Sequence, residues 1–123
     1  MQKYDLENRL IAFSTRIIEI SENVSKTNAG NHLSGQLLRS GTSVSLNYGE
    51  AQSAESRKDF IHKIKLILKE LRETMICLQL IKNRHLVNKV AVLDNIIIEN
   101  NELISIFVKS VQTARKNDLE ETC

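Results

Sequence analysis

Apolar residues recur along this chain at alternating steps of three and four, the spacing of helices that bury one face. Between Asp5 and Val24 the stripe is Leu6, Leu10, Phe13, Ile17, Ile20 and Val24, with Asp5 placed to cap the first turn. The polar run from Ser25 to Asn31 predicts a loop. A second segment, His32 to Gln52, sets Leu33, Leu37, Val44, Tyr48 and Ala51 on one stripe. Gly41, Gly49 and the run of Ser and Thr beside Gly41 weaken it, since each internal Gly costs about 1 kcal/mol relative to Ala. Ser34, Leu38, Gly41 and Ser45 fall near one face, three of them small, so a neighbouring helix has room to approach there.

The third segment carries the plainest signals. Ser56-Arg57-Lys58-Asp59 reads as a capping box with Asp in place of Glu. Phe60, Ile64, Ile67, Leu71 and Leu78 form one stripe, and Ile61, Leu68 and Met75 form a second beside it. The helix is predicted to end near Asn83, and two stripes call for more than one packing partner. The fourth segment, Asn88 to Lys116, keeps the spacing with Val90, Leu93, Ile97, Ile104, Phe107, Val111 and Ala114. Asn100 falls inside that seam, where one Asn can set helix register at a cost in stability.

Four helices on short loops predict an all-α, up-down-up-down four-helix bundle over residues 1–116, with residues 117–123 as a disordered or frayed tail. The expected core is Leu10, Phe13, Ile17, Ile64, Ile67, Leu71, Leu78, Leu93, Ile97, Ile104 and Phe107. Composition agrees: the 123 residues include no Pro and only 4 Gly, too few for the many turns of an all-β fold. With 3 Phe, 2 Tyr and no Trp, a broad aromatic platform for single strands is excluded. A formal net charge of +2 permits an anionic partner without requiring one. Cys77 lies in an apolar run and Cys123 is the last residue, which is no disulfide framework. No signal peptide and no apolar run of membrane-spanning length stands in the sequence, so the expected compartment is the cytoplasm and no membrane partner is expected.

One stretch is more specific than periodicity. Gln36-Leu37-Leu38-Arg39-Ser40-Gly41-Thr42-Ser43-Val44, then Asn47 to Gln52, then Ala54 to Lys63, closes with Leu68 to Thr74. This closely resembles the bacterial four-helix bundle proteins encoded in 23S ribosomal RNA intervening sequences. Arg39, Asn47, Glu50 and Phe60 sit at positions of the family pattern. Gly49-Glu50-Ala51 departs from the usual Ala-Glu-Gly. The resemblance implies a cytoplasmic bundle that is not an enzyme and assembles as a homopentamer. It extends to retroelement accessory proteins that bind nucleic acid and a reverse transcriptase.

Candidate chemistry is sparse. Asp59 and His62 make half of a dinuclear carboxylate-histidine motif, but the second half is missing, so no metal and no cofactor is expected. No Gly-rich phosphate loop and no nucleophile elbow occurs. Arg39, Asn47 and Glu50 form either a recognition site or, in the preferred reading, an interhelical polar network. Lys58, His62, Lys65, Lys69 and Arg72 recur at steps of four, three, four and three along one face of the third helix, flanked by Arg57 and Lys63. That stripe is either an ordinary solvated face, diluted by Glu55, Glu70 and Glu73, or an anion-binding surface repeated around an oligomer. Two functions follow: an oligomeric accessory protein that binds RNA or DNA through Arg57, Lys58, Lys63, Lys65, Lys69 and Arg72, or a protein-interaction scaffold with no nucleic-acid binding.

Overall fold

The computed structural model describes the backbone of residues 3–122 and the side chains of residues 5–117. Four helices follow one another: α1 (Lys3–Glu22), α2 (Asn28–Gln52), α3 (Arg57–Asn83) and α4 (Val90–Thr122). No strand occurs among the described residues. Each helix packs its backbone against the next and α4 closes weakly onto α1, while across the α2–α4 diagonal the Tyr48 and Phe107 rings meet edge to face with 5.9 Å between centroids. Arg39 meets Glu70 and Glu50 meets Lys63, while Lys82 meets Asp94, so successive helices run antiparallel. This is the expected up-down-up-down bundle.

Local chemistry explains the helix ends. Thr27 is extended at the start of α2 and its hydroxyl accepts from the Gly30 amide at 3.0 Å. The helix therefore starts four residues before the sequence pattern suggests, because a Thr cap inside a polar run looks like loop. Gly30 is required: a Cβ there would lie 1.8 Å from the Ser25 carbonyl oxygen, so the preceding turn folds directly onto the helix. At the start of α1, Asp5 lies inside the first turn rather than at the cap, where its charge still favours the helix dipole. Ser56 caps α3 as predicted, accepting from the Asp59 amide at 3.0 Å.

The end of α3 is a Schellman closure. The Leu86 amide donates to the Ile81 carbonyl at 3.0 Å and the His85 amide to the Lys82 carbonyl at 3.1 Å. His85 takes the left-handed conformation, φ 54°, usually held by Gly. Leu86 then tucks into the core, and its carbonyl accepts from the Ser25 amide at 2.7 Å, tying the two loops at that end of the bundle together.

Leu10, Phe13, Ile17, Ile64, Ile67, Leu71, Leu78, Leu93 and Phe107 are at most 1% exposed, as expected. Helix α4 is rotated from the expected seam. Ile96 and Leu103 are fully buried, whereas Ile97 and Ile104 are only partly buried and Val90 is exposed. The buried line runs Leu93, Ile96, Asn100, Leu103, Phe107, Val111. Asn100 lies on it as expected; the spacing misplaces only Ile97 and Ile104, because the adjacent aliphatic residues at 96–98 and 103–104 fit either of two neighbouring lines. Asn100 is itself fully buried, and neither its amide nitrogen nor its oxygen has a hydrogen-bond partner among the described residues. The backbone of α4 continues to Thr122, over most of the stretch expected as a tail, while side chains from 118 onward lie outside the described residues.

Candidate nucleic-acid interface

Helix α3 buries Ile64, Ile67, Leu71 and Leu78, so its opposite side faces water. Lys58, His62, Lys65, Lys69 and Arg72 are all exposed there. None of Lys58, Lys65, Lys69 and Arg72 has an ion-pair partner among the described residues. Their charges are therefore presented outward as one ridge along the first half of the helix. Farther along the same line the ridge changes character: Ile76 is 56% and Leu80 44% exposed.

The two flanking cations are not part of the ridge. Lys63 turns toward α2, where its Nζ lies 3.2 Å from Glu50. Arg57 is half-buried at the other flank and lines a cavity near the end of α4. Helical spacing assigns both to the neighbourhood of the stripe; only the tertiary neighbours decide which way each faces.

Two of the three acidic residues that dilute the stripe, Glu70 and Glu73, are drawn off it. Arg39 of α2 donates to Glu70 at 3.1 Å and also to Glu73. Both carboxylates are thus held against α2 and away from the lysines. Arg39 and Glu50 tie α2 to α3 by ion pairs, in keeping with an interhelical polar network. Asn47 is half-buried and takes no part in that pairing. Beneath Arg39 the network continues inward, with the Thr74 hydroxyl 2.8 Å from that of Ser40.

On the other flank of α2, Gly41 meets Ile17 so closely that a Cβ would come within 2.5 Å of the Ile17 methyl. Ser14 donates to the Gly41 carbonyl at 2.8 Å and Ser45 to the Leu10 carbonyl at 3.0 Å. The close approach expected around Gly41 is therefore filled by α1. The second apolar stripe of α3 contributes Leu68 to the core.

One clamp is not legible in the sequence. Arg9 of α1 donates to Glu99 at 2.8 and 2.7 Å and to Glu102 at 2.6 Å. These hydrogen bonds, Glu99 first, raise the Arg9 guanidinium above its ordinary range. The partners lie some ninety residues apart, beyond any local pattern, and they secure the weakest helix contact of the bundle.

Asp59 sits in the capped first turn, His62 is exposed, and no group of three metal-ligating side chains occurs among the described residues. Burial pushes the Cys77 thiol above its ordinary range, with Arg39 pulling the other way, so Cys77 behaves as a core residue.

Comparison with known proteins takes in nearly the whole chain. The family model of the 23S rRNA-intervening sequence protein matches residues 2–109. The chain belongs to that family. A solved structure of a protein of unknown function from the S23 ribosomal protein family of Bacteroides thetaiotaomicron is similar, at 28% identity and a TM-score of 0.78. The match covers 85% of this chain and 96% of that one. No curated protein matches the chain. Membership in the 23S rRNA-intervening sequence family accounts for the bundle and for the dense motif around Arg39 to Thr74. No helix among the described residues is long and apolar enough to cross a membrane.

Proposed function

We propose that this member of the 23S rRNA-intervening sequence family is a non-enzymatic, cytoplasmic RNA-binding accessory protein that acts as a homo-oligomer. The observation that carries the reading is the α3 ridge: Lys58, Lys65, Lys69 and Arg72 stand exposed with no ion-pair partner among the described residues, while Arg39 holds Glu70 and Glu73 aside. A row of such cations at helical spacing suits phosphate contacts, which bind with little sequence preference and weaken steeply with salt.

Assembly is supported by exposed aliphatic side chains on both helix pairs. Ile11, Ile18 and Leu38 are 53%, 39% and 41% exposed on α1 and α2. Ile76, Leu80 and Ile98 are 56%, 44% and 60% exposed on α3 and α4. Exposed aliphatic side chains on both helix pairs suit a head-to-tail ring, which joins different surfaces of successive subunits. A homopentamer, the assembly that the family resemblance implies, repeats the ridge around its ring and adds weak phosphate contacts together.

The test is a gel shift with structured RNA and duplex DNA at two salt concentrations, run beside light scattering. An oligomer with salt-dependent affinity is expected. The Lys65→Glu, Lys69→Glu double variant should stay oligomeric, lose at least tenfold in affinity and show a shallower salt slope. Full affinity in that variant would move the interface elsewhere. No binding by the wild type even at low salt would leave a protein-interaction scaffold as the function.

A further inference from the structure

The helices of this bundle are unequal: α1 has 20 residues and α4 has 33. The Arg9 pairs with Glu99 and Glu102 set these antiparallel helices in register. Counting outward from that clamp, α4 beyond about residue 107 runs past the start of α1, because antiparallel neighbours advance by equal rises. An open cavity of about 780 Å³ lies in this region, between the end of α2, the start of α3 and the last turns of α4.

The sequence of α4 changes where this happens. On the heptad line that contains buried Ile96 and Leu103, the next members are Ser110 and Asn117, and both line the cavity. Thr113 lines it too, one heptad beyond Ile106. A face that is aliphatic beside α1 thus becomes hydroxyl and amide rather than charged. Phe60, half-buried at the start of α3, supplies an aromatic wall. Arg57 and Glu55 both line the cavity, so its described lining carries one charge of each sign, which suits a neutral group with hydrogen-bonding edges better than a free phosphate. The volume falls within the range of about 300–1,000 Å³ usual for small-ligand pockets. Next to Arg57, the ridge begins at Lys58.

We propose that this cavity receives one unpaired nucleoside of an RNA strand whose phosphates lie along the α3 ridge. The base would stack on Phe60 and present its edges to Ser110, Thr113 and Asn117. This rests on the nucleic-acid reading of the ridge and adds to it a preference for RNA with unpaired ends.

The experiment compares two RNA duplexes with equal numbers of phosphates, one blunt and one with unpaired nucleotides at its ends. Wild-type protein should bind the second about tenfold more tightly. Phe60→Leu, which keeps an apolar side chain but removes the ring, and Ser110→Leu, which extends the aliphatic line into the cavity, should each abolish that preference. Both should keep the blunt-duplex affinity and salt slope, with folding checked by circular dichroism. Equal wild-type affinity for the two duplexes would overturn the cavity proposal and leave the ridge intact, as would a preference that survives in folded Ser110→Leu. If neither duplex binds, the ridge reading fails, and nuclear magnetic resonance titration with adenosine and cytidine decides the cavity alone. Shifts confined to Phe60, Ser110 and Thr113 would uphold it, and no shifts would overturn it.

Discussion

Helix α2 meets its two neighbours by different means. Against α1 it presents Gly41 and Ser45, and the backbones draw close enough for hydroxyls to reach carbonyls across the gap. Against α3 it presents Arg39 and Glu50, which reach across at the surface to Glu70, Glu73 and Lys63. The first seam is a matter of shape and supports the fold. The ion-pair network of the second seam adds little to stability beyond the buried core that α2 and α3 share, since surface ion pairs are worth about 0–1 kcal/mol. Its larger consequence is electrostatic: it removes carboxylates from the vicinity of the α3 lysines. Close backbone approach and surface charge are therefore handled on opposite flanks of one helix, and substitutions on the two flanks should separate them.

The largest effect belongs to the α1 flank. Ile17 is fully buried against Gly41, so Ile17→Ala should cost about 2–5 kcal/mol in chemical denaturation. Gly41→Ala alone should destabilise by about 1–3 kcal/mol, because the new methyl overlaps Ile17. In the double variant the overlap disappears, and the cost of Gly41→Ala should shrink or change sign, since Ala otherwise favours helix. Additive costs would mean that the two helices do not touch at this point.

Asn100 sharpens the contrast from within the core. Its side chain is buried without a protein partner among the described residues, a situation that costs about 1–3 kcal/mol. Asn100→Leu should raise stability by about that amount, read as a higher urea midpoint with an unchanged slope. An unchanged or lowered midpoint would show that the amide is satisfied in solution. If Asn100 sets helix register, the stabilised variant should also show a broader distribution of oligomers.

These same residues mark what the sequence made legible. Helix number, order and most of the core follow from apolar spacing, because a periodic face leaves a periodic trace. Ser56 and Asp59 announce α3 through local chemistry alone. Asn100 was legible as a seam residue, but the rotation of α4 was not, since adjacent aliphatic residues at 96–98 and 103–104 let the spacing fall on Ile97 and Ile104 instead of Ile96 and Leu103. The start of α2 was missed because Thr27 caps from inside a polar run. At the interface, Lys58, Lys65, Lys69 and Arg72 were legible from helical spacing. The inward turn of Lys63, the position of Arg57 and the Arg9 clamp were not, because each depends on a residue from another helix. The cavity was hidden for a related reason: it depends on the relative lengths and register of α1 and α4.

The α3 flank should respond differently. Arg39→Ala is expected to change stability by no more than about 1 kcal/mol. RNA affinity should nevertheless fall severalfold at low salt, because Glu70 and Glu73 are released beside the ridge and a cation is lost. Adding Glu70→Gln and Glu73→Gln to Arg39→Ala should recover the affinity without recovering any ion pair. A triple variant that binds as weakly as Arg39→Ala would place Arg39 in direct contact with RNA.

The smallest effect lies beneath the same arginine. Burial raises the Cys77 thiol above its ordinary value of 9.0, and Arg39 partly opposes the shift. Between the unfolded and folded values the native protein holds the proton more tightly than the unfolded chain. The contribution to stability is therefore complete below about pH 9 and is lost as pH rises through the folded value. Burial shifts Tyr48 in the same direction from 10.0, so its contribution falls away at higher pH still. Urea midpoints measured from pH 8 upward should decline first through Cys77, and Cys77→Val should flatten the early part of the decline. Arg39→Ala should steepen that early part, because the thiolate loses its nearby cation while the desolvation cost stays. A pH profile identical in wild type, Cys77→Val and Arg39→Ala would show that Cys77 does not titrate under the influence of this flank, and the charge arrangement of the α2–α3 seam would then end at the surface.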